Sequence, residues 1–432
     1  MIQMRTLKLF LLLMFAFMLN ARAQLTIAEC QQKARENYPM VKQFDLIEQT
    51  RQYNISNANK GYLPQVSVAV KATYQSDVTE IPPILGQMLG QMSGKEVSFP
   101  TLSQDQYQAV IEANQLIWDG GVISAQKKIT EAGTEIDRKK LEVELFALNE
   151  RVNQVFFGIL LIDEQLKQTE ILKSELQTNL KRVESSVQNG VANQADIDVL
   201  KVEQLNVLQR ETEMRSTRQA YLTILGALTA QKLDGQTTLV KPDLQFYVLN
   251  ETGNNRPELS LFDAQYKLYD SQEMLLNAGN MPRIGAFVQG GYGKPGLNMF
   301  SDGFSPFYIG GIRLSWSLNG LYSQKNNLGK LALGKHAVDV QKETFLFNNQ
   351  LQSGQQKTEI EKLKAVMAND DEIIELRTRI KKTASAKVEN GVLTTTDLVR
   401  EINAEDQAKR LKALHEVQLL MVIYNLKNTV NN

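Results

Sequence analysis

The chain repeats itself. Asn37-Tyr38-Pro39-Met40-Val41 returns as Asn255-Arg256-Pro257-Glu258-Leu259, Leu63-Pro64-Gln65-Val66 as Met281-Pro282-Arg283-Ile284, and Tyr74 as Tyr292, all at one offset. Leu116, Trp118 and Gln126-Lys127 match Leu314, Trp316 and Gln324-Lys325 at a shorter offset. Val187-Gln188-Asn189-Gly190-Val191 then matches Val388-Glu389-Asn390-Gly391-Val392, and Asp196 matches Asp397. The matches are collinear, so any fold must be a doubled one, with repeats over 24–232 and 255–432. The change of offset puts extra residues of the first copy between Tyr74 and Trp118.

Each copy holds two stretches of period two, over hairpins at about 64–118 and 282–317. Val66, Val68, Val70, Ala72 and Tyr74 share one phase; Ser67, Lys71 and Thr73 share the other. Tyr107, Ala109, Ile111 and Ala113 oppose Gln108, Glu112 and Asn114 in the same way, and Ile312, Leu314 and Trp316 oppose Arg313, Ser315 and Ser317. The stretch from Ile284 to Tyr292 is rich in glycine and less clear. Strands near ten residues, apolar on one side and polar on the other, fit a tilted membrane span with a wet lumen. Trp118 and Trp316 at one end, and Tyr74 and Tyr292 at the other, fit two interfacial girdles. A soluble sheet with one wet face shows the same alternation. Four strands cannot close a barrel, which takes about eight. An open edge in lipid leaves backbone groups unpaired at a cost of several kcal/mol each. A membrane reading therefore demands further chains.

Between the strand pairs lie helices too long for a globule. Leu141, Leu145, Leu148, Val152, Val155, Ile159, Ile162 and Leu166 step by four and three, a heptad seam that Leu172, Leu176, Leu180, Val183 and Val187 prolong. Asn189-Gly190 ends that helix, and Asn193 to Asp196 start another, carrying Val199, Val202, Leu205 and Leu208. The second copy is expected to repeat the plan, ending near Asn390-Gly391 and restarting at Thr394 to Thr396, through Leu398, Ile402, Leu411 and Leu414. A helix from about 120 to 188 would run roughly 100 Å.

The rest of the chain narrows function by exclusion. Lys and Arg total 48, as do Asp and Glu, which removes the electrostatic case for nucleic acid. Cys30 is the only cysteine, so no internal disulfide is expected, and His336 and His415 stand alone, giving no basis for a metal site, a cofactor or a catalytic triad. Arg5, Lys8, the apolar Leu9 to Leu19 and Ala21-Arg22-Ala23 read as a signal peptide over 1–23 without a lipid anchor. Beyond it no run of 18 apolar residues occurs, so a membrane crossing would use strands. Gly291-Tyr292-Gly293-Lys294-Pro295-Gly296 spells a dinucleotide-binding pattern, but with no helix after it a turn is the expected structure. Residues 76–106 form a long outer connection that either narrows the outer mouth or is an ordinary surface loop, the plainer of the two readings.

Taken together, Leu25-Thr26-Ile27 with Asn37-Tyr38-Pro39, Gly61-Tyr62-Leu63-Pro64-Gln65, Trp118-Asp119-Gly120-Gly121 and both Asn-Gly-Val turns resemble the TolC-type outer-membrane factor family over nearly all of the chain after residue 23. The resemblance implies a mixed fold: mostly long α-helices forming a periplasmic tunnel, plus four transmembrane β-strands per chain in a trimeric twelve-stranded barrel. It implies a homotrimer in the outer membrane of a Gram-negative bacterium. That trimer would extend into the periplasm and work with a periplasmic adaptor and an inner-membrane RND or ABC transporter. It would be the exit duct of an efflux pump or type I secretion system for drugs, ions or proteins, and no enzyme. Adaptor docking would fall on Asn189, Gly190, Val191, Asn390, Gly391 and Val392. The tunnel-tip constriction would fall on Asp397 and Arg400, with Asp196 at a linking position; the usual Tyr and Arg links are Val388 and Leu393 here. Asp397 and Arg400 rings could pair across subunits. For either Asp alone, capping a helix is the plainer role. The alternative is a periplasmic coiled-coil scaffold or adaptor with no membrane barrel.

Overall fold

The computed structural model describes residues 24–95, 97, 99, 101–243, 254–298 and 300–431. The expected signal peptide, 1–23, lies outside them. In chain order the described elements are β1 (Gln24–Leu25), α1 (Ile27–Asn37), α2 (Gln43–Asn59), β2 (Gln65–Tyr74), α3 (Pro83–Ser93), β3 (Asp105–Trp118), α4 (Val122–Gln188), α5 (Gln194–Thr229), β4 (Thr238–Leu239), α6 (Pro257–Gly279), β5 (Arg283–Lys294), β6 (Ser305–Ser315), α7 (Asn319–Met367), α8 (Asp370–Glu389) and α9 (Thr395–Val430). Packing divides the chain into two units, and each draws on both repeats: 1–44, 139–260 and 341–432 in one, 45–138 and 261–340 in the other.

The first unit is helical. The heptad seam of α4 is its spine: Leu141, Leu145, Leu148, Val152, Val155, Ile159 and Ile162 are all buried. Around Val152 to Leu160 they meet Ile27, Cys30 and Ala34 of α1, Leu222 and Leu225 of α5, and Val417 and Leu420 of α9. Polar pairs fix the register inside this core. Asn149 Nδ2 donates to Asn428 Oδ1 at 3.2 Å, and Asn153 Nδ2 to Asn425 Oδ1 at 3.1 Å. A slip would leave those amides buried without partners. One stretch of α4 is apolar enough to cross a membrane by composition, which the sequence reading did not register; most of it is buried in this core. Between Gln194 and Arg210 of α5 the buried residues are Ile197, Leu200 and Val207, whereas Val202, Leu205 and Leu208 of the expected stripe stay exposed. The second repeat also departs from the plan, because its long helix breaks between Met367 and Asp370.

The second unit carries one antiparallel sheet in the order β2-β3-β5-β6. The two hairpins, one per repeat, join through β3 and β5. The register aligns the apolar phases: Val66 with Ala113, Val68 with Ile111, Val70 with Ala109, then Ala109 with Tyr292, Ala286 with Ile312 and Ile284 with Leu314. A bulge between Leu116 and Trp118 shifts the phase, so Trp118 faces Ile284 and joins the apolar side that strict alternation would have denied it. Trp316 Nε1 donates to the Asn280 carbonyl at 3.0 Å. At the other end Tyr107 and Tyr292 both stack on Phe304, at 6.3 and 5.7 Å between ring centres.

Two expectations change here. Gly291 and Gly293 lie within β5 rather than in a turn. A Cβ on Gly291 would sit 2.4 Å from the Phe307 ring, so glycine is needed for close approach. The connection 76–106 also holds a helix, α3. Its Gly86 and Gly90 face the returning chain, and a Cβ on them would meet the Val97 and Lys95 carbonyls at 2.8 and 3.2 Å.

Candidate functional site: the sheet face and the helical tip

The sheet exposes what a soluble protein would cover. Val66, Val68, Val70, Ile312 and Leu314 lie on one side, with Val70 80 % and Ile312 76 % exposed. At about 25 cal/mol per Å² such a face is stable only against lipid or protein. The backbone edges of β2 and β6 pair with no strand among the described residues. The opposite side carries Lys71, Glu112, Arg283 and Arg313, as a lumen requires.

The helical tip is built from two copies of one turn. At the end of α4, Gly190 takes φ +72°, and Val191 N donates to Ser186 O at 2.9 Å. At the end of α8, Gly391 takes φ +70°, and Val392 N donates to Lys387 O at 2.8 Å. Glycine fits because a left-handed residue caps each helix. Each turn then pushes a valine into solvent, Val191 at 77 % and Val392 at 68 % exposed. A capping box follows in both copies. Asn193 and Asp196 exchange bonds of 3.1 Å. Asp397 N donates to Thr394 Oγ1 at 3.2 Å, and Thr394 Oγ1 donates to Asp397 Oδ2 at 2.7 Å. The Thr394 hydroxyl and the Thr394 backbone N–H, both donating to Asp397 Oδ2, hold that carboxyl below its ordinary range. Both aspartates thus cap their helices. Arg400 has acidic neighbours within its own chain: Asp397 at 3.4 Å and Glu401 at 3.4 Å.

Behind the turns four helices close on an apolar core of Leu172, Leu176, Leu180, Ile197, Leu200, Ala384, Leu398 and Ile402. Val388 and Leu393 pack against it. The polar links come from residues the sequence reading did not single out. Arg182 of α4 reaches Glu389 of α8 at 2.5 Å. Lys381 of α8 bridges Glu175 of α4, at 2.6 Å, and Glu405 of α9. Arg210 of α5 meets Asp406 of α9 at 3.4 Å. Glu405 is 3 % exposed. Burial works against its charge, but hydrogen bonds from Lys381, Thr378 and Lys409 outweigh it and hold the carboxyl at about 2. Burial raises Asp406, against the pull of Arg410 and Arg210. Continuing the seam of Leu398 and Ile402 by three and four lands on Glu405 and Lys409, charges at core positions that mark such a belt.

Residues 30–231 match the model of the outer membrane efflux protein family. Over that stretch, a little under half of the chain, the sequence is similar to that family. The members of that family are outer-membrane efflux proteins. The family match covers most of the first repeat; the fold carries the second. VceC of Vibrio cholerae is 12% identical with a TM-score of 0.62, covering 94% of each chain. The CmeC channel of Campylobacter jejuni is 11% identical with a TM-score of 0.63, over 94% of this chain and 85% of its own. The open-state MtrE channel of Neisseria gonorrhoeae is 12% identical with a TM-score of 0.63, over 94% of this chain and 89% of its own. No curated protein matches the sequence. On the exposed apolar face of the sheet, Trp118 and Trp316 lie at one end and Tyr74 and Tyr292 at the other.

Proposed function

We propose that three copies of this chain close a common barrel and tunnel, and that the tunnel is the last stage of a pump assembled across the periplasm. The observation that carries this is the pair of unpaired edges on a sheet whose outer face is apolar. In lipid every unmatched backbone group costs several kcal/mol, so β6 of one copy must pair with β2 of the next. The repeats 24–232 and 255–432 then give each copy two helical hairpins of pseudo-equivalent ends.

Adaptor docking belongs on those ends. Asn189-Gly190-Val191 and Asn390-Gly391-Val392 present Val191 and Val392 on rigid, glycine-capped turns, a small apolar knob in each repeat. Closure of the tip falls to Asp397, Arg400 and Asp196 together with the Arg182–Glu389 link. The adaptor would connect to an inner-membrane RND or ABC transporter, which supplies the energy. Small molecules or secreted proteins would pass, after export of the chain behind the 1–23 signal. The test is direct. The purified protein should migrate as a detergent-resistant trimer that dissociates on heating, and it should conduct ions in planar bilayers. A monomeric, non-conducting protein overturns the reading. Val191→Asp with Val392→Asp should abolish co-purification with an adaptor while leaving the trimer intact.

A further inference from the structure

On the polar face of the sheet, at the end near Trp118 and Trp316, lies a cavity of about 310 Å³ lined by Gln65, Asn114, Arg283, Phe287, Arg313 and Ser315 among others. All six of these side chains belong to the polar phase of their strands. The register explains the space. Arg283 stands opposite Ser315, Gly285 opposite Arg313, and Phe287 opposite Gly311. With no side chain at Gly285 or Gly311, the floor between the two arginines stays open; a Cβ on Gly311 would already press on the Phe287 ring at 3.2 Å.

The charges here are unbalanced. Arg313 lies over the Phe287 ring, its Cζ 4.7 Å from the centre. Neither Arg283 nor Arg313 pairs with a carboxylate among the described residues. The described strand residues of this face carry three cations, Lys71, Arg283 and Arg313, and one acid, Glu112. Glu112 is engaged by the Asn114 amide at 2.8 Å. Two guanidinium groups, two side-chain amides and an aromatic plane converge on one space. Guanidinium forks match sulfonate and carboxylate oxygens, and a ring stacks on a ring.

We infer that Arg283 and Arg313, with Phe287, form a luminal binding site for aromatic organic anions. In the assembled duct this site makes the barrel's inner end select anions over cations. It rests on the channel reading above and adds a substrate class to it. An anion leaving the tunnel would exchange water for guanidinium contacts at the barrel entrance. Several weak sites of this kind, one per copy, bind without trapping.

The experiment uses the full-length trimer in planar bilayers, with naphthalene-1-sulfonate, sulfate and 1-naphthylmethylammonium as probes. Wild-type current should favour chloride over potassium and be blocked by naphthalene-1-sulfonate. Arg283→Gln with Arg313→Gln should raise the half-blocking concentration about tenfold and at least halve the chloride preference. Phe287→Leu should weaken block by naphthalene-1-sulfonate and leave that by sulfate unchanged. Arg283→Lys with Arg313→Lys keeps the charge and should retain block by sulfate. Calorimetry of naphthalene-1-sulfonate with detergent-solubilised trimer should show the same order of affinities, whatever the state of the tip. Unchanged block and affinity in the double glutamine variant, or equal block by the ammonium probe, overturns the inference and leaves the channel intact. A trimer that inserts but conducts in no variant overturns the channel reading and the inference with it.

Discussion

The two repeats solve one problem in two ways. In the first, α4 runs unbroken from Val122 to Gln188 on an apolar seam. In the second, the counterpart is split at Ala368-Asn369, between α7 and α8. At the offset set by the Asn-Gly turns, Asp370 corresponds to Thr169. The Thr169 hydroxyl donates to Gln165 O at 2.9 Å inside its own helix, so the helix continues. Asp370 instead opens a new helix, within 2.9 Å of His415 Nδ1. Asp371 beside it binds Lys412 at 2.5 Å. The same contrast recurs nearer the tip. Leu180 of the first repeat, buried in the core, answers to Lys381, and Gln204 answers to the buried Glu405. At these matched positions the first copy places apolar or uncharged side chains, indifferent to pH, where the second places charges, although Glu211 of the first copy is itself buried between Lys173 and Arg215.

The sharpest break of that contrast is Lys381→Met. It leaves Glu405 buried without its main partner, at a cost of about 3–5 kcal/mol, read as a fall in the denaturation midpoint of the solubilised trimer. The pH dependence should go with it. Glu405 sits at about 2 in the fold against 4.5 for a free carboxyl. Its contribution is therefore complete above about 4.5 and lost as pH falls toward 2. Lys381→Met should flatten that part of the stability–pH curve; a slope equal to wild type would show the charge belt to be irrelevant.

Leu180→Ala tests the packed copy. A fully apolar site should lose about 3 kcal/mol, with the wild-type pH slope retained. Asp370→Asn should cost about 1–2 kcal/mol and show as faster amide exchange in the first turn of α8, whereas Thr169→Val should leave exchange across α4 nearly unchanged. Gly190→Ala and Gly391→Ala place a Cβ at positive φ with room around it, so each should lose about 1 kcal/mol. Unequal losses would mean the turns differ where their geometry agrees. The smallest effect on stability should come from Arg400→Asp at the exposed tip. Its readout is block of single-channel current by divalent cations, which should strengthen; unchanged block would remove Arg400 from the gate.

Much of this was legible in the chain. The heptad seam from Leu141 predicted the buried face of α4 because period and burial share one cause. The strand phases predicted the apolar face of the sheet for the same reason. The turns at Gly190 and Gly391 were legible because only glycine takes that backbone conformation easily. Other features hid behind composition. Gly86, Gly90 and Pro83 read as loop, yet Pro83 can start a helix and the glycines let the chain return against it. Asn369-Asp370-Asp371-Glu372 is a helix-start signal, overlooked because the second repeat was taken to copy the first. Val202, Leu205 and Leu208 looked like the buried stripe of α5, but Ile197, Leu200 and Val207 took that place.

The sequence by itself determined the duplication, the strands with their two faces and the helices with their ends, because each follows from local periodicity or from counting. Only the tertiary structure decided which phase Trp118 joins, which face of α5 is buried, and that Lys381, Glu175 and Glu405 meet. It also decided that Arg283, Phe287 and Arg313 surround one cavity. Those outcomes depend on a bulge, a helix rotation or a register between segments far apart in sequence, and local patterns carry no record of them.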